Sequence, residues 1–187
     1  RSLEIEEEIA KQNRDLSIID DIIKKLQKGD SIMNNYTIEK KRIPSFTAYY
    51  RHGKIDSMSD IFKFVSDANA EANEHNPDLV RENYCYVTYE AQEYQENNVE
   101  LEYVEAVKDK GVDSANVKFK SVEAINAVCV AHKGEYSGLI EAYAYAVGYV
   151  KEHGYTIAGK IREVYIHGCW DRVRESDYLT EIQIPVE

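Results

Sequence analysis

Pro44–Gly53, PSFTAYYRHG, and Glu123–Gly134, EAINAVCVAHKG, are two readings of one pattern, and their relation decides the fold. Tyr84–Tyr89, YCYVTY, returns as Glu163–Gly168, EVYIHG, and Val99–Val107, VELEYVEAV, as Tyr178–Val186, YLTEIQIPV. The differences 123−44, 165−86 and 181−102 are all 79, so one spacing relates three segments. Two copies are too few for a solenoid, which needs three or more stacked units. The expectation is therefore one domain of two similar halves, with a ligand pocket at their seam.

Each half spells strand, helix, strand, strand. The first half predicts a strand at Ile43–His52, a helix from Ser57 to His75, and strands at Tyr84–Glu90 and Val99–Val107. Ser57-Met58-Ser59-Asp60 supplies a capping-box-like start. Ile61, Phe62, Val65, Ala68 and Ala72 form the apolar stripe of that helix. The second half predicts strands at Val122–His132, Ile161–His167 and Leu179–Val186, and a helix over Ser137–His153. Leu139, Ile140, Tyr143, Val147 and Val150 make its stripe, and Gly154 its C-terminal cap. The sum is an α+β fold, an antiparallel sheet with its helices on one face.

Residues 3–28 read as a long helix of different character. Ile5, Ile9, Gln12, Leu16, Ile19, Ile23 and Leu26 alternate spacings of 4 and 3, the repeat of a coiled-coil seam, and Gly29 follows as a stop. We expect residues 1–29 to be a dimerisation or linker helix and 36–187 the domain itself. The stripe could also pack on the chain's own domain.

Composition excludes several functions. A net charge of −11 and a pI near 5.0 speak against a nucleic-acid surface. Cys85, Cys129 and Cys169 form no CxxC pair, which fits a reduced, cytoplasmic setting. No histidine stands at metal-ligand spacing with another His or Cys, so neither metal nor cofactor is expected. No apolar run is long enough to cross a membrane.

Strand alternation then sorts the faces. In the last strand Ile182, Ile184 and Val186 should pack on helices, leaving Glu181, Gln183 and Pro185 on the open face. Val164 and Ile166 should likewise be buried, with Tyr165 and His167 turned the other way. Repeat symmetry puts Tyr84, Tyr86, Thr88 and Glu102 on the open face, although Glu105 at a nominally buried place shows the pattern is imperfect. In the first strand of each half the polar Thr47 and Arg51, or Asn126, mark the open side and bring Tyr49 and Val128 with them. Tyrosine provides 15 of the 20 aromatics, against 4 Phe and 1 Trp. Strand propensity alone favours tyrosine, but phenols around a carboxylate also make a cage for an aromatic or cationic molecule. Glu181, in a strand of buried neighbours and with no fixed basic partner in the sequence pattern, is the sharpest binding candidate. Glu102 is its counterpart. Trp170 either closes the pocket or covers a hydrophobic edge.

At Ala131–Tyr155, AHKGEYSGLIEAYAYAVGYVKEHGY, and at the terminal YLTEIQIPV, the sequence resembles the GyrI-like effector-binding domain. The resemblance spans residues 36–187 and includes the HxGxY segment His132–Tyr136. It implies two βαββ halves around a groove, found as sensor domains of MerR-family and AraC-family transcription regulators. In members that bind lipophilic cations, an acid of the final strand and surrounding aromatics hold the ligand. The resemblance thus implies Glu181 as the carboxylate, the one residue carried over on a motif match; Tyr49, Tyr86, Tyr165 and Trp170 are wall candidates from the face argument, and Tyr136 of the HxGxY segment is a further binding candidate. The heptad helix favours the MerR-like version, a homodimer joined through that helix. Since the chain begins Arg1-Ser2, a DNA-binding head is expected to precede it. The alternative is a small hydrolase of the same fold in which Glu181 activates water.

Overall fold

The computed structural model describes residues 36–90 and 96–187; the heptad helix, the residue 1–29 unit and dimerisation through it lie outside the described residues. The ten main elements run β1 (Ile38–Ile43), β2 (Phe46–Ser57), α1 (Ile61–His75), β3 (Arg81–Tyr89), β4 (Asn97–Val107), β5 (Lys118–Val122), β6 (Ile125–Lys133), α2 (Leu139–Glu152), β7 (Arg162–His167) and β8 (Leu179–Pro185). The repeated βαββ pattern is therefore present as β2-α1-β3-β4 and β6-α2-β7-β8. All eight strands form one antiparallel sheet, ordered β1-β6-β8-β7-β3-β4-β2-β5.

Two edge strands were not expected from the sequence. The long first strand of each half breaks in two, and the leading piece crosses to the other half: β1 pairs with β6, and β5 with β2. Both pieces are short and lysine-bearing, IEKKRI and KFKSV, a composition suited to the exposed edge of a sheet. The halves meet where β3 and β7 touch, through the single registered pair Val87 and Glu163.

Both helices cover one face. Ile61, Phe64, Ala68 and Ala72 of α1 pack on Tyr49, Val87, Leu101, Tyr103 and Phe119. Leu139, Ala142, Ala146, Val147 and Val150 of α2 pack on Val128, Val130, Ile182 and Ile184. Fully buried alanines at 68, 72, 142 and 146 let the helix backbones lie close to the sheet. The expected stripes are thus rotated slightly. Phe62, Val65 and Tyr143 sit half-buried toward the seam, and Ile140 is exposed. Ser57 caps a 3-10 turn, accepting from the Ser59 amide, before α1 proper begins at Ile61. Gly154, with φ of 69°, ends α2 as anticipated; an L side chain is disfavoured there.

Ile182 and Ile184 do face the helices, but the facing of three other strands is reversed from expectation. Tyr49 is fully buried beneath α1, not open; its hydroxyl donates to Asn69 Oδ1 at 2.6 Å. Thr47 and Arg51 share that side, and Val128 lies under α2. Arg51 is accommodated because its guanidinium lies 4.4 Å above the Phe64 ring and donates to the Phe64 carbonyl, at the margin of α1. In β7, Val164 packs with Tyr86, Ala48, Val104 and Val122 on the helix-free face, Ile166 is exposed, and Tyr165 turns toward the helices. The cause is an uneven repeat. Tyr103 and Ile182 occupy matching positions in β4 and β8, 79 residues apart, but their partners Val87 and Glu163 are 76 apart. An odd difference of three inverts the alternation of β7 relative to β3.

Candidate functional site

On the helix-free face, both expected glutamates are present and both are already paired. Lys41 Nζ of β1 lies 2.5 Å from Glu181 Oε2, and Lys120 Nζ of β5 lies 2.5 Å from Glu102 Oε1. These pairs are repeat mates, since 120−41 and 181−102 are both 79. The expectation that Glu181 lacks a basic partner is therefore corrected: the partner comes from an edge strand that local pattern did not reveal. For Lys41, burial alone would lower the ammonium's pKa, but its bonds to Glu181 and Glu39 outweigh burial and hold it above its ordinary value. Gln183 Nε2 donates to the other Glu181 oxygen at 2.7 Å, Tyr84 donates to Gln183 Oε1 at 2.7 Å, and Arg162 Nη1 donates to the Tyr84 hydroxyl at 3.2 Å. Tyr86 is buried on this face beneath the Arg162 guanidinium, 4.5 Å from its ring.

The helix side of the seam holds a different acid. Glu163, in the middle of the sheet and only 7% exposed, accepts from Tyr143 of α2 at 2.5 Å, from Tyr89 of β3 at 3.2 Å, and from Tyr165. Each hydroxyl comes from a different element, so the cage closes only when the halves are joined. No ion pair links Glu163 to a basic side chain among the described residues. Burial pushes the Glu163 carboxyl above its ordinary value, although the three phenols favour its ionised form. Burial also drives the Tyr143 and Tyr165 hydroxyls well up, and the neighbouring carboxylate adds to this. The phenols stay protonated and remain donors.

Aromatic rings extend the cage outward. Phe62 of α1 lies 5.9 Å from Tyr165, 5.7 Å from Tyr136 and 5.5 Å from Trp170. Tyr136 stands 5.8 Å from Tyr165 and 5.1 Å from Tyr178. Its hydroxyl is buried without a hydrogen-bond partner among the described residues, a condition that costs free energy unless a partner arrives. Trp170 is 52% exposed at the outer end. Gly168 makes the close packing possible, because a Cβ there would stand 2.2 Å from the Trp170 ring and 2.6 Å from the Tyr136 hydroxyl.

The seven sequence candidates thus divide. Tyr165 bonds Glu163, and Tyr136 and Trp170 gather beside it around Phe62; Glu181, Glu102 and Tyr86 lie on the opposite face; Tyr49 is enclosed beneath α1. Glu163, Tyr143, Tyr89 and Phe62 were missed as site residues. A signal was available at Tyr143: a tyrosine in the buried stripe of a helix needs an acceptor on the sheet below. Among the described residues, no group of His, Cys, Asp and Glu could hold a metal ion, and no helix is long and apolar enough to cross a membrane.

The profile of the GyrI-like small-molecule-binding domain matches residues 28–187. The chain belongs to this family. Among solved structures, this GyrI-like domain is similar to the C-terminal domain of EcmrR, at 35% identity and a TM-score of 0.77, covering 82% of this chain and 98% of that one. It is also similar to EcmrR in a cryo-EM structure of the EcmrR–DNA complex, at 34% identity and a TM-score of 0.77, covering 100% of this chain and 70% of that one. A more distant likeness, in fold alone, is to SAV2435 bound to tetraphenylphosphonium, at 16% identity, a TM-score of 0.51, and coverage of 81% and 94%. A hydrolase from Listeria innocua shares the fold at 14% identity and a TM-score of 0.59, with coverage of 81% and 92%. A search of curated protein sequences found no significant match.

Proposed function

We propose that this GyrI-like domain is the effector sensor of a dimeric MerR-type transcription regulator and that it binds an aromatic cation over Glu163. The observation that carries the reading is a buried carboxylate that has three phenol donors and no cationic partner among the described residues. Such a group is unfavourable when ionised and gains most from a cation delivered in an apolar body. Phe62, Tyr136, Tyr165 and Trp170 provide ring faces for that body, and Tyr136 contributes a hydroxyl still lacking a partner. Likeness to EcmrR, studied in complex with DNA, supports the regulatory role; the tetraphenylphosphonium held by SAV2435 supports the ligand class. Binding between these rings would part Phe62 of α1 from Tyr136, which leads into α2, and so bias the relation of the halves. A regulator responds in this way when its ligand prefers one of two arrangements.

The test is calorimetric titration of the full chain with tetraphenylphosphonium and with neutral triphenylphosphine oxide. Saturable binding of the cation, with the neutral analogue at least about tenfold weaker and Trp170 emission changing on binding, is the expected result. Equal affinity for both compounds would remove Glu163 from the reading. The hydrolase alternative is supported less by this geometry, because Glu181 already accepts from Lys41 and Gln183.

A further inference from the structure

Arg162 and Glu163 are consecutive in β7, and alternation sends them to opposite faces of the sheet. Arg162 is as deeply buried as its neighbour, at 7% exposed, and its charge is equally unanswered. It makes no ion pair among the described residues. Its guanidinium makes one hydrogen bond among the described residues, from Nη1 to the Tyr84 hydroxyl, and one face of it rests on the Tyr86 ring. A guanidinium carries five N–H donors in a planar fork, so most of them have no partner among the described residues.

Arg162 lines a depression of about 300 Å³ on the helix-free face, at the lower end of the size of small-molecule sites. Of the acids that line it, Glu102 is taken by Lys120, and neither Glu102 nor Glu123 makes an ion pair with Arg162 among the described residues; Lys160 is paired with Glu90. Glu181 is tied to Lys41 and Gln183. The apolar part of the wall comes from Val122, Ile125, Pro185 and Tyr86, while Thr88, Glu123 and Lys160 supply polar groups.

We infer that this depression is a second binding site, for a small monocarboxylate with a compact apolar body. A carboxylate matches the guanidinium fork in two parallel hydrogen bonds. The apolar walls suit the ligand's body, and the Glu123 carboxylate at the rim repels a dianion such as phosphate more than a singly charged acid. The site is separate from the Glu163 cage and of opposite charge preference, so it does not depend on the function proposed above.

The test is an NMR titration of the full chain with benzoate, benzamide and inorganic phosphate. Benzoate is expected to bind saturably at millimolar concentration or below, perturbing amides of residues 158–162, 184 and 186. Benzamide and phosphate should each be at least about tenfold weaker. Gly159 lines the depression, and a Cβ there would stand 3.6 Å from Pro185, an ordinary contact. Gly159→Leu should therefore fill the space and abolish benzoate binding with the melting temperature unchanged. Arg162→Gln should weaken benzoate at least about tenfold, and Glu163→Gln should leave it unaltered. Absence of saturable benzoate binding, equal binding of benzamide or phosphate, survival of binding in Gly159→Leu, or its loss in Glu163→Gln would each overturn the inference.

Discussion

Replacing Glu163 by Gln keeps the shape of the cage and removes its charge. A cation placed about 4 Å from the carboxylate gains about 4 kcal/mol at the effective dielectric of a protein interior. Shedding its hydration and loosening a tyrosine bond offset roughly half of that, leaving about 2 kcal/mol, or about 30-fold in Kd. Titration calorimetry with tetraphenylphosphonium on both proteins should return a loss of that order, with triphenylphosphine oxide almost unaffected. The pH dependence supplies a second arm. Burial raises the Glu163 pKa above its ordinary 4.5, so the folded state holds this proton to higher pH than the unfolded state does. The associated stability is complete below that ordinary value and is lost as pH rises through the folded one. Over the same window the cation competes with the proton, so affinity should rise with pH and then level off. Glu163→Gln should abolish both trends. Unchanged cation affinity in the variant, or a pH slope that survives it, would refute the reasoning.

Three further outcomes follow from other contacts. Lys41→Met strands Glu181, whose side chain is 12% exposed, beside Gln183; chemical denaturation should show a loss of about 1–2 kcal/mol, largely restored by adding Glu181→Gln. Gly168→Ala would drive the Trp170 and Tyr136 rings apart; since Trp170 is half-exposed, stability should change by no more than about 1 kcal/mol, while the emission of the chain's one tryptophan shifts and cation affinity falls. The Ser114 hydroxyl and Asn116 amide hold the Glu71 carboxyl down to about 2. Its contribution is present above the ordinary 4.5 and is lost as pH falls toward 2, so Glu71→Gln should flatten the acid limb of a melting-temperature profile.

The duplicated halves were legible in the 79-residue repeat, and both helices and the inward facing of Ile182 and Ile184 in local periodicity. The position of the acid was not. Carrying Tyr86 onto Tyr165 at a spacing of 79 assumed equal connections, but β7 is joined to β8 by three residues more than β3 is to β4, and the parity of the strand changed with it. Thr47 and Arg51 were read as solvent-facing from polarity, yet Arg51 lies along the margin of α1 with its stem and plane against Phe64. Glu181 seemed unpaired because Lys41 is 140 residues away in sequence, and no local pattern carries that pairing. Glu105 was the useful exception. Its acidic side chain in a nominally buried register marked an imperfect pattern, and it is in fact enclosed beneath α1, accepting from Tyr103.

The crossed leading strands have a mechanical consequence. Tyr36 and β1 enter the molecule from the N-terminal side but are laced onto β6, not onto the β2 that follows them. Tension arriving along the backbone ahead of Tyr36 would be transmitted first to the far lobe, through six ladder positions and the Lys41 clasp. Neither lobe could be cut out as an autonomous module, since each would leave behind the border strand that finishes its neighbour.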